Sequence, residues 1–221
     1  MTLTHATKPS TRTDSRAGAI VAAGGSVLFG VAMFLTVASV NVPHDASDAE
    51  LLEWWQQESN RLSGIVSGLF AVCAAALLAV VANYVHRLEV TRTSPLWRAF
   101  AHSMAGAFTA AMLVTAATRS AVGHLVDVMD EPLPSVDVLR YATALNYQVL
   151  GLAAMGALAL TILATSVLSL RTAAYGRWAG WVGIACGAVM TAAVAAGYGG
   201  FTVPLAILWS VCLGIAIRPR T

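Results

Sequence analysis

The chain has 221 residues, of which 57% are hydrophobic and 11% are charged, and its formal net charge is +2 at pH 7. Soluble globular domains carry about 25% charged residues, so this composition excludes a water-soluble domain and indicates a protein surrounded by lipid. We expect the protein to contact the lipid bilayer and not to bind nucleic acid.

Six apolar runs are each long enough to cross a bilayer, which takes about 20 apolar residues. None of them alternates apolar and polar residues, so the pattern does not indicate the strands of a membrane barrel. Helices satisfy their own backbone hydrogen bonds in lipid, and the sequence therefore predicts an all-α bundle of six transmembrane helices. The predicted spans are Ala17–Val40, Gly64–His86, Ala99–Thr118, Leu145–Leu170, Gly176–Gly197 and Phe201–Ile217.

The basic residues predict the orientation of this bundle. Ten of the thirteen Lys and Arg residues lie in the two tails or in the connections after the second and fourth spans. Cytoplasmic loops are enriched in these residues, so both termini are predicted to be cytoplasmic. The strong preference for Arg over Lys and the abundant Ala are typical of a high-GC bacterial genome, which favours a bacterial plasma membrane.

The domain boundaries follow from the same pattern. Residues 1–16 are polar and predicted to be a disordered cytoplasmic tail, and residues 218–221 form a short tail at the other terminus. The transmembrane domain is 17–217. Its outer connections, 41–63 and 119–144, hold nine of the eleven acidic residues and are predicted to form a small polar cap.

Small residues recur at intervals of four on several spans, a spacing that lets helix backbones approach closely in lipid. Two interpretations stay open at this point, namely internal packing of the bundle and a homodimer face. The residues are Gly18, Ala22, Ser26 and Gly30 on the first span, Gly64 and Gly68 on the second, Gly106 and Ala110 on the third, and Ala179, Gly183 and Gly187 on the fifth.

The first outer connection contains the stretch DASDAELLEWWQQESNRLSG. Ser47 and Glu50 fit a capping box, which predicts a short helix from Asp48 to about Ser59. This helix is expected to be amphipathic and to lie on the outer leaflet or to cover the bundle. Its apolar side is predicted to contain Leu52, Trp55, Ser59 and Leu62, and an ion pair is predicted between Glu58 and Arg61.

The second outer connection contains Pro132 and Pro134, which interrupt any helix, and Ser135, which is expected to cap the next one. Arg119 is predicted to end the third span near the outer face and to pair with a carboxylate of the cap. An ionisable residue at such a boundary is a functional candidate. The predicted interaction residues of the cap are Trp54, Trp55, Glu58, Arg61, Arg119 and Arg140.

Two cofactor hypotheses rest on histidines. Imidazole and carboxylate groups suit zinc or manganese, and the two outer connections supply His44, Asp45, His124, Asp127 and Glu131 as candidate ligands. His86 ends the second span and His102 lies one turn into the third, so the pair is a candidate for axial haem ligation. We expect both the candidate metal ligands and the histidine pair to have structural roles rather than to bind a cofactor.

No Asp, Glu, Lys or Arg lies in the middle of a predicted span, and the chain contains no P-loop, GxSxG or Rossmann motif. The leading hypothesis is therefore a non-enzymatic accessory or interaction subunit that binds a membrane partner or lipid, as a monomer or a homodimer. The alternatives are a small-solute transporter or channel, and a membrane metal- or haem-binding protein or enzyme.

Two short motifs add a resemblance. ESNRLSG, with Arg61-Leu62, opens the second span, and YGRWAGWVG, with Trp178-Ala179-Gly180-Trp181, opens the fifth. In this order the chain resembles a family of small six-span membrane proteins of unknown function that is common in actinobacteria. The resemblance implies the fold and the membrane location, and it implies no activity.

Overall fold

The computed structural model describes residues 12–40, 42, 46–89, 95–173 and 175–217. All regular elements in these ranges are helical, and six helices are long and apolar enough to cross a membrane. The predicted all-α class is thus confirmed. The elements are α1 (Arg12–Ala38), α2 (Asp48–Gln56), α3 (Glu58–Glu89), α4 (Pro95–Gly123) with a π-helical turn (His124–Val128), α5 (Val136–Gln148), a second π-helical turn (Val149–Ala154), α6 (Met155–Thr172), α7 (Arg177–Ala195), a 3-10 turn (Gly199–Thr202) and α8 (Val203–Ala216).

The six spans form a closed ring. Each spanning helix packs against the next one in chain order, and α8 packs back against α1. Side chains fill the interior of the ring. Phe29 of α1 contacts Phe108 of α4 across it, edge to face, with 5.9 Å between ring centroids. Both rings are fully buried, as are Met33, Met112 and Met155. Trp209 of α8 also belongs to this core.

Two spanning helices extend beyond the predicted apolar runs. The third helical span ends at Val128 rather than Thr118, and the fourth begins at Val136 rather than Leu145. The polar residues in these extensions lower the local hydropathy, and among them Arg119 and Asp127 find hydrogen-bond partners on other helices. Arg119 consequently has nine further helical residues after it and lies inside the bundle, not at the end of its span.

The small residues mainly serve internal packing. A methyl group built on Gly68 would lie 2.9 Å from the backbone oxygen of Ala116, and one on Gly187 would lie 2.7 Å from Leu163 Cγ. Gly30 meets Ser210 and Gly183 meets Ser166 in the same way. The first-span and fifth-span stripes therefore make contacts within one chain, which agrees with the internal interpretation.

Replacement of Gly68 by Ala should destabilise the protein by about 1–3 kcal/mol, the usual cost of overpacking, because the neighbouring atom belongs to the backbone of α4 and cannot rotate away. Gly106→Ala is the matched control, since a methyl group there meets nothing within 4 Å. Thermal unfolding in detergent, followed by tryptophan fluorescence, measures both. Equal melting temperatures for the two variants would contradict the close approach of α3 and α4.

Candidate functional site

The cap, which we define as residues 46–57 together with residues 124–135, lies over one end of the ring. The capping box at its first helix is confirmed, because the Ser47 N–H donates to Glu50 Oε2 at 2.8 Å and the Glu50 N–H donates to Ser47 Oγ. The hydrogen bond from the Ser47 N–H, and then the one that the Ser47 hydroxyl donates to Glu50 Oε2 at 2.8 Å, lower the pKa of Glu50. The helix ends at Gln56, three residues earlier than predicted.

The buried side of α2 differs from the predicted one. Leu51 and Trp55 are buried, whereas Leu62 is exposed. The reason is the break at Gln57, whose extended backbone ends α2 and places Ser59 and Leu62 on a new helix axis. The two buried side chains belong to a small separate core under the cap, together with Val42, Val122 and Leu139. The helix therefore covers the end of the bundle and does not lie loosely on the leaflet.

Arg61 connects three parts of the cap. Its Nη1 donates to the backbone oxygens of Trp55 and Gln56, both at 2.8 Å, and so caps the C-terminal end of α2. Its Nε donates to Asp127 Oδ1 at 2.8 Å, and Nη2 lies 2.6 Å from the same carboxylate. The predicted partner was Glu58. Asp127 takes that place because the helical turn 124–128 brings its carboxylate over the start of α3.

Two contacts from α5 hold the other end of α2 and the segment before it. Arg140 Nη2 lies 2.5 Å from Asp48 Oδ1 and donates to the backbone oxygen of Ala46 at 3.2 Å. The Tyr147 hydroxyl donates to the backbone oxygen of Val42 at 3.0 Å. The cap is thus attached to α5 at its beginning and to α3 and α4 at its end.

Arg119 lies beneath this cap, 5% exposed. Its Nε donates to Asn146 Oδ1 at 3.2 Å, and its Nη1 donates to the backbone oxygen of Thr36 and to Ser67 Oγ. One guanidinium therefore links α1, α3, α4 and α5. The predicted carboxylate partner was wrong for the described residues, because all of these partners are neutral.

The metal hypothesis finds no support among the described residues, which contain no group of three or more His, Cys, Asp and Glu side chains placed to hold a metal ion. His44 and Asp45 lie outside the described residues. The carboxylate of Asp127 is occupied by Arg61, and His124 and Glu131 are exposed. The α-helical spacing assumed for His124 and Asp127 also fails, because both lie in a π-helical turn.

His86 and His102 do come together, with 5.5 Å between ring centroids. The void beside them is about 10 Å³, which is the size of one water and far too small for a porphyrin. The packing of the half-buried His86 on the exposed His102 agrees with a structural pair more than with axial haem ligands.

A cleft opens beside the cap, between the second π-helical turn and the segment from α7 to α8. Its volume is about 320 Å³, within the range of ligand sites in proteins. The floor is formed by glycine backbone, since a methyl group on Gly199 would clash with the Gly151 backbone oxygen and one on Gly151 would lie 3.1 Å from the Gly200 backbone nitrogen. Its lining residues are Ala144, Tyr147, Gln148, Gly151, Leu152, Val194, Gly197, Gly199, Gly200 and Phe201.

Comparisons of the chain with protein-family models, with curated proteins and with solved structures found no match. The resemblance to the six-span actinobacterial family therefore stays a prediction. What the molecule itself defines is a multi-pass helical protein with a tied cap over a buried arginine and a lateral cleft next to that cap.

Replacement of Arg61 by Gln should loosen α2. It removes an ion pair and two hydrogen bonds to the end of the helix, and hydrogen bonds to charged groups contribute about 1.5–3 kcal/mol each. We expect amide protection in residues 48–56 to fall by about tenfold or more in hydrogen–deuterium exchange.

Arg140→Gln is the matched control for this measurement. The Arg140 and Asp48 side chains are 45% and 68% exposed, against 11% and 25% for Arg61 and Asp127, and exposed ion pairs contribute only about 0–1 kcal/mol. A loss of protection as large in Arg140→Gln as in Arg61→Gln would show that Arg61 is not the principal tie of the cap.

Proposed function

We propose that this chain is a non-enzymatic interaction protein of the bacterial plasma membrane that binds a lipid in the lateral cleft at its capped end. The cleft is the observation that carries the proposal. It lies on the outside of a ring whose interior is filled by side chains such as Phe29 and Phe108, so the accessible space faces the surrounding lipid rather than a central path.

The lining of the cleft suits a lipid. Leu152, Val194 and Phe201 supply apolar contacts for an acyl chain, and the Gln148 amide at the cap side supplies a donor and an acceptor for a polar group. Phe201 is 79% exposed and Tyr198, three residues before it, is 62% exposed. Exposed aromatic side chains at the end of a span are typical of the membrane–water interface, where a lipid would enter.

The distribution of charge supports an outward-facing cap. The opposite end of the ring carries Arg87, Arg98, Arg171 and Arg177 at or next to the helix ends, as cytoplasmic loops do. Exposed tryptophans also lie at that end, Trp97 at the start of α4 and Trp178 and Trp181 at the start of α7. In this orientation both termini are cytoplasmic, and the acidic cap and the cleft lie at the outer leaflet.

Replacement of Gly200 by Leu should fill the cleft and expel the lipid. The substitution is sterically permitted, because a methyl group on Gly200 meets nothing within 4 Å. We expect native mass spectrometry of the full chain, released gently from its own membrane, to show a reproducible lipid adduct that is lost in this variant.

Gly24→Leu is the matched control, since Gly24 is equally open but lies on the exposed side of α1. It should retain the adduct. A wild-type protein without bound lipid, or an adduct retained equally by Gly200→Leu and Gly24→Leu, would contradict lipid binding in the cleft. A second subunit in place of lipid would replace the proposal with a protein–protein interaction.

A further inference from the structure

We propose that the space between the cap and Arg119 is a binding site for a small monovalent anion of the size of chloride. This site is distinct from the lipid cleft, and its evidence is independent of the proposed function. It is formed where α2 covers the ends of α1, α3 and α4 and the middle of α5.

The first argument is the charge of Arg119. Its three hydrogen-bonding partners, Thr36, Ser67 and Asn146, carry no charge. Each cap carboxylate that forms an ion pair in the described residues is bound to another arginine, Asp127 to Arg61 and Asp48 to Arg140. A buried charge is costly unless it is compensated, and an anion beside the guanidinium would supply that compensation.

The second argument is a set of donors without partners. Arginine has five N–H groups, and the bonds of Arg119 within the described residues use only Nε and Nη1, which leaves the two N–H groups of Nη2. The Trp55 indole is 5% exposed, and its Nε1–H is buried with no hydrogen-bond partner among the described residues. A buried donor without a partner costs about 1–3 kcal/mol, so the Trp55 indole N–H calls for a ligand.

The third argument is that these groups line one void. It is bounded by Trp55 from α2, Arg119 from α4, and Thr143 and Asn146 from α5. Asn146 Oδ1 already accepts from Arg119, so the free end of its amide is a donor. Thr143 Oγ1 donates its proton to the Leu139 backbone oxygen.

The donor set distinguishes an anion from a water. An indole N–H and a guanidinium only donate, and the Asn146 amide is oriented to donate as well. A water accepts about two hydrogen bonds and needs acceptors for its own two protons. A halide accepts from these three donors and also neutralises the positive charge, while Thr143 Oγ1, whose own proton is already donated, offers it no hydrogen bond.

The size of the void sets the class of anion. Its volume is about 10 Å³, close to the minimum for one water-sized particle. Phosphate or a lipid headgroup is far larger than this space, whereas a chloride ion, which is slightly larger than a water, fits with a small outward shift of the wall that Trp55 forms. Since Trp55 is part of the wall, anion binding should also stabilise α2 in its position over the bundle.

The test is thermal unfolding of the full-length protein in detergent while sodium chloride replaces sodium gluconate at constant ionic strength. A ligand that binds only the folded state raises the melting temperature in a saturable way. We expect such saturation for the wild type. Trp55→Phe keeps the aromatic ring but removes the indole N–H, and it should weaken the chloride affinity about tenfold or more, as expected for one hydrogen bond to a charged group.

Trp181→Phe is the matched control, because Trp181 is exposed at the opposite end of the ring, and its chloride response should equal that of the wild type. Arg119→Met should abolish the response, and Trp55→Phe keeps the test valid if that variant does not fold. An unfolding temperature independent of chloride, or the same chloride affinity in Trp55→Phe and Trp181→Phe, would overturn the proposal.

Discussion

The burial of the Arg119 guanidinium is the constraint on which the capped end of this molecule depends. A positive charge inside an apolar bundle has to be surrounded by oxygen atoms, and these come from three other helices: the Thr36 backbone on α1, Ser67 on α3 and Asn146 on α5. The approach of α3 to α4 at this level requires Gly64, where a methyl group would lie 2.7 Å from the Arg119 backbone oxygen. The hydrogen bonds of Arg119 and the close approach at Gly64 therefore fix both the depth and the spacing of these helices.

The cap covers Arg119 and its hydrogen-bonding partners. α2 is short, and a helix of nine residues is marginal in isolation, so its position depends on the contacts of Arg61 and Arg140 and on the burial of Leu51 and Trp55. Arg61 is the more buried of the two arginines, and it holds the end of α2 that carries Trp55. The contacts of Arg61 with the end of α2 therefore hold Trp55 over the space beside Arg119.

The helical class, the six spans and the capping box could be predicted from the sequence because each depends on local composition or on neighbours three or four residues apart. The partners of the charged side chains could not. Arg61 reaches Asp127, 66 residues away, while Glu58 offered a partner at helical spacing. Arg119 uses Ser67 and a backbone oxygen, and neither has a signal in a single sequence. The cleft depends on a π-helical turn and on the contact of Gly151 with Gly199, which no periodicity reveals.

The central claim is that a cap tied by Arg61 closes over an arginine whose counter-charge is supplied by a bound anion. The most direct measurement is the anomalous diffraction of bromide in crystals of the full-length protein grown in a bromide salt. The account predicts a peak between Trp55 and Arg119, within hydrogen-bond distance of the indole nitrogen, with α2 in place. The absence of a peak there, together with a carboxylate bound to Arg119, would contradict it.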